Sequence, residues 1–109
     1  MGRRVLVLLA AIWLPAVAAA APRAEIEPRH RGLLVTHCRK CHGPETQESG
    51  FRVDDLPPVI DSVAGAERWQ KVLDVLNAGE MPPEEEPRIP AAAKTELLDD
   101  LAKAMVLAR

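Results

Sequence analysis

The sequence predicts a small all-α domain of about three helices, preceded by a detachable leader. Three observations carry this prediction. The first twenty residues form a composition of their own, almost wholly apolar after two arginines. Two later stretches, 66–77 and 90–107, repeat apolar residues at the spacing of a one-sided helix. Strand signals are nearly absent, and 109 residues allow one domain.

The leader comes first. Arg3 and Arg4 give it a positive start, Val5 to Leu14 an apolar run, and Ala18-Ala19-Ala20 the small residues that signal peptidase needs. Residues 1–20 therefore read as a signal peptide cleaved near Ala20/Ala21. The run is short for a bilayer and is broken by Pro15, which disfavours an uncleaved anchor. A periplasmic or otherwise exported protein, with no stable membrane insertion after cleavage, is expected. Cleavage takes Arg3 and Arg4 from the 14 basic residues and none of the 16 acidic ones, so the formal charge falls from −2 to −4. Nucleic-acid binding, which needs a basic face, is not expected. What remains has one Trp, one Phe and no Tyr. So small a core usually needs a staple or a ligand.

Residues 21–28 read as a polar lead-in and 29–109 as the domain. A first helix is expected from Arg29, with Leu33, Leu34, Val35 and Cys38 on one side and Gly43-Pro44 ending it. Residues 45–64, with Gly50, Pro57 and Pro58, read as a long irregular loop. The second helix spans 66–77: Trp69, Val72, Leu73 and Leu76 form its stripe, and Gly79 follows its end. Glu80-Met81-Pro82-Pro83 is a stiff non-helical turn. The last helix starts near Pro90 and runs to about Leu107, with Leu97, Leu98, Leu101 and Met105 facing inward.

Both cysteines of the chain lie in Cys38-Arg39-Lys40-Cys41-His42. This is the attachment pattern of a c-type haem. Two thiols so spaced add to the two vinyl groups of the porphyrin, and the adjoining imidazole falls under the iron. Three other readings stand beside it. A redox-active or disulfide-forming CxxC normally opens a helix after a strand, and here it closes a helix. A zinc site needs four ligands, and no second C-x-x-C or H-x-x-x-H pair exists. Coincidence is the third, and with only two cysteines it is the least economical.

A haem iron held by one histidine has a sixth position. Met81 lies 39 residues after His42, and two prolines follow it. They stiffen the backbone and favour presentation of the thioether over simple gap filling. Met105 reads as core, His30 as a surface residue near a helix start, and His37 as tied to the proximal side.

These residues resemble a monohaem class I cytochrome c. More narrowly, CRKCHGPETQESGFRVDDL and WQKVLDVLNAGEMPPEEEPRIP are similar to the cytochrome c-like domain at the N-terminus of large exported planctomycete proteins. The resemblance covers about residues 29–107. It implies a small cytochrome c-like fold wrapped around one covalently bound haem c. Cys38 and Cys41 would hold the vinyls, His42 would be the proximal ligand and Met81 the distal one. Gly50, Arg52 and Asp54 match a G-x-R-x-D signature, and Arg52 would pair with a haem propionate. Trp69 matches the family's helix tryptophan, which would pack near the haem edge; core packing without a redox role is the reading its own helix stripe favours.

The function expected is electron transfer rather than catalysis, with redox proteins as partners. An open-site haem enzyme or sensor, or a non-haem CxxC redox or zinc module, is the alternative.

Overall fold

The computed structural model describes residues 1–16 and 21–109. Residues 1–16 carry no regular secondary structure, and Val5, Leu8, Ile12 and Trp13 are exposed. The expected cleavage point abuts residues 17–20, which lie outside the described residues. No described helix is long and apolar enough to cross a membrane.

The elements run β1 (Ala24–Glu25), α1 (Pro28–Cys38), a 3₁₀ turn (Glu48–Gly50), β2 (Val59–Ile60), α2 (Val63–Asn77) and α3 (Ala91–Leu107). Three helices with little strand match the fold class read from the sequence, and two departures are local.

The first is at the N-terminus. The polar lead-in is not outside the packed body. Ala24 pairs with Ile60 and Glu25 with Val59 in an antiparallel ladder, and the Ile26 N–H donates to the Pro58 carbonyl at 2.8 Å. Ala24 and Ile26 are buried. A two-residue strand is too short for alternation to reveal, so both the lead-in and the irregular loop concealed it.

The second is at the end of α1. The helix begins with Pro28 in its first turn, where the missing N–H costs nothing. It stops at Cys38, and Arg39 to Cys41 form a turn instead of continuing to Gly43. The motif therefore runs out of the helix rather than along it.

α2 starts at Val63, three residues before the start at 66 expected from the sequence. The Ser62 side chain accepts a hydrogen bond from the Gly65 N–H at 3.0 Å, satisfying an otherwise unpaired donor of the first turn. At the far end Gly79 takes φ +72°, the left-handed conformation that terminates helices. α3 follows Pro90, whose carbonyl accepts from the Lys94 N–H at 2.9 Å.

The core lies where α1, α2, α3 and the small ladder meet. Trp69, Leu34, Ile60, Leu76, Leu97 and Leu101 are almost wholly removed from water. Side chains of this size each contribute roughly 1.5–3 kcal/mol by burial. The Trp69 indole N–H donates to the Pro57 carbonyl at 2.8 Å, so its one polar atom is satisfied.

α1 is tied to α3 by charge. His30 is buried, not on the surface, and its Nε2 lies 2.7 Å from the Asp100 carboxylate. Arg29 bonds Glu27 at 2.6 Å and Asp100 at 3.2 Å, and also reaches Glu96. The hydrogen bond to His30 holds the Asp100 carboxyl below its ordinary range. The sequence alone concealed His30's burial because its partner is 70 residues away.

Candidate haem site

The motif is fixed by main-chain bonds before any side chain is considered. The His42 N–H donates to the Cys38 carbonyl at 2.9 Å. The loop after it folds back: Glu48 N–H reaches the Cys41 carbonyl at 2.8 Å, and Val53 N–H reaches the His42 carbonyl at 2.7 Å. Gly43 permits the return. A Cβ there would collide with the Arg39 carbonyl oxygen, a contact no side chain tolerates.

This arrangement borders a cavity of about 250 Å³. α1 supplies Leu34 and Cys38. The motif and its return loop supply His42, Ser49, Phe51 and Val53. α2 supplies Lys71, Val72, Val75 and Leu76, and Glu80 and Met81 complete the wall. Most of this lining is hydrocarbon.

His42 has a defined ring orientation. Its Nδ1 lies 3.1 Å from the Phe51 carbonyl oxygen. A carbonyl only accepts, so Nδ1 must carry the proton. In the neutral ring Nε2 then keeps its lone pair for a metal, the usual arrangement for an imidazole ligand. The Phe51 ring packs edge-on against the imidazole, with centroids 6.1 Å apart.

Cys38 is on the cavity wall; Cys41 is half-buried beside it and is not part of the lining. Burial, with a smaller contribution from Cys41, pushes the Cys38 thiol up to about 11. At neutral pH it stays protonated, which makes it a slow partner for thiol exchange.

Met81 shares the cavity with His42. Its turn is held by a residue that the sequence reading did not single out. Arg88 donates to the carbonyls of Pro82 at 2.8 Å and Glu86 at 3.2 Å, and also to that of Pro83. The signal was available: Pro82 and Pro83 lack N–H groups, so a long donor side chain is an effective way to fix that turn.

Besides Cys41, two predicted site residues lie off the cavity wall. Arg52 is not on the cavity wall. Its Nε donates to Asp54 at 3.0 Å, with Asp55 at 3.8 Å. That hydrogen bond in turn holds the Asp54 carboxyl below its usual range. The G-x-R-x-D segment is thus a clasp within its own loop, strengthened by Arg68 donating to the carbonyls of Arg52 and Asp55, each at 3.1 Å. Trp69 is on the same helix as Val72 but packs in the core rather than on the wall.

The chemistry of the set fits a haem. A thiol, an imidazole with its distal nitrogen available and a thioether meet around an apolar space.

Residues 38–85 match the family Planctomycete cytochrome C.

The match opens on Cys38 and closes just beyond Met81-Pro82-Pro83, so it spans both the CxxCH motif and Met81. It agrees with the resemblance drawn from the sequence. Similarity to the planctomycete cytochrome C family over these residues supports a haem c protein. No curated protein and no solved structure matches the chain.

Proposed function

We propose that this protein is an exported cytochrome that carries single electrons through one haem c, held by Cys38 and Cys41 and ligated by His42 and Met81. One observation carries the reading: an imidazole with a free Nε2 and a methionine thioether lie on the wall of the same apolar cavity, beside a thiol of the attachment motif. When bound, the haem supplies an iron that gains and loses one electron.

The chain's own residues do the rest. The Phe51 carbonyl holds the proton on His42 Nδ1 and so orients the ring. Arg88 stiffens the turn that presents Met81. Leu34, Val72 and Leu76 keep water from the ligand side chains. A His/Met pair favours a higher potential than two histidines and leaves no position for substrate. Bound at this cavity, the haem would exchange its electron with a redox protein docking beside it.

The test is a visible spectrum of protein matured with a cytochrome c assembly system, repeated after denaturation in alkaline pyridine. Colour that stays with the denatured chain supports Cys38 and Cys41, and a weak far-red band in the oxidised native form supports Met81. A colourless protein that binds zinc would overturn the proposal.

A further inference from the structure

A haem brings a pair of propionate carboxylates to whatever site receives it, and an apolar cavity needs a cation for them. Arg52 is already committed to Asp54 within its own loop. The cavity wall carries one cation, Lys71. It is exposed and makes no ion pair with any carboxylate among the described residues. Its ammonium instead stands 5.8 Å from the centroid of the Phe51 ring. Such a contact steadies a lysine without neutralising it.

The same residue thus joins three parts of the site. Phe51 supplies the carbonyl that orients His42, and its ring lies both against the imidazole and under the Lys71 ammonium. Glu80 is the other charged residue on the wall. The two have opposite signs, so a carboxylate entering the cavity is drawn toward Lys71 and repelled by Glu80.

We infer that Lys71, not Arg52, is the residue that receives a haem propionate. The inference rests on the haem reading above. It makes Lys71 a carboxylate-binding residue of the site.

The experiment compares matured wild-type protein with Lys71→Met, Lys71→Arg and Arg52→Met. Haem staining of the denatured chains comes first. Absence of covalent haem from the wild type would overturn the haem reading, and this inference with it. With haem in place, the reduction potential is followed against pH. A propionate whose proton affinity depends on the iron's charge leaves an inflection there. An opposite charge close by lowers a carboxyl pKa, so removing it moves the inflection upward, by about one pH unit or more. The shift is expected in Lys71→Met, with recovery in Lys71→Arg and little change in Arg52→Met. An unmoved inflection in Lys71→Met, or an equal shift in Arg52→Met, would overturn the assignment of Lys71 while leaving the haem reading intact.

Discussion

The two ends of α1 face opposite tasks. At its N-terminus His30 is bonded to Asp100, and Arg29 is shared among Glu27, Glu96 and Asp100. Every one of those charges has a partner in the chain itself. At its C-terminus Leu34 and Cys38 border a cavity where, among the described residues, Lys71 makes no ion pair and His42 uses one ring nitrogen and leaves the other open. One end is complete as protein. The other is arranged so that something else completes it. The difference locates function within a fold too small to hold much that is idle.

The strongest way to break this contrast is to remove the attachment. Cys38→Ala with Cys41→Ala should leave no covalent haem and little stable helix, read by haem staining and circular dichroism. A colourless but fully helical double variant would show the cavity end to be as self-sufficient as the other. Leu97→Ala, deep in the core near α3's charged contacts, should cost about 2–5 kcal/mol in denaturant unfolding. The haem spectrum of the folded fraction should be unchanged; a lost far-red band would mean that the two ends are coupled.

Met81→Ala should keep the haem, lose that band and lower the potential by on the order of 0.1 V, within the ~0.8 V span that axial ligands command. The iron should then bind added imidazole. Arg88→Met should do less: the band stays at low temperature and fades on warming well below the unfolding transition, a loss of about 1 kcal/mol from the turn.

The smallest effect is expected at the charged end. Asp100's folded pKa is lowered by His30, so its contribution is present above the ordinary carboxyl value near 4 and is lost as pH falls through the lowered one. Asp100→Asn should flatten the acid limb of a stability profile below the ordinary carboxyl range and leave the haem spectrum at neutral pH untouched.

The sequence was most informative where a pattern is local. The stripes of α2 and α3, the Gly79 terminator and the clustering of Cys38, Cys41 and His42 are each contained in a dozen residues or fewer. What escaped was set by distance or by the main chain. His30 needed Asp100 to be buried. The ladder of Ala24–Glu25 with Val59–Ile60 needed two segments that carry no strand pattern alone. The Phe51 carbonyl has no sequence signature at all. Arg52 is different: its partner is only two residues on, and the R-x-D spacing offered a local alternative to a distant carboxylate.

That carbonyl has an evolutionary consequence. No substitution of a single side chain can delete the acceptor that holds the His42 ring, because every amino acid at position 51 supplies one. A lineage can change that hold on the His42 ring only by degrees, through small changes in the path of residues 43–53. The trait is buffered against point mutation and is inherited as the shape of a loop.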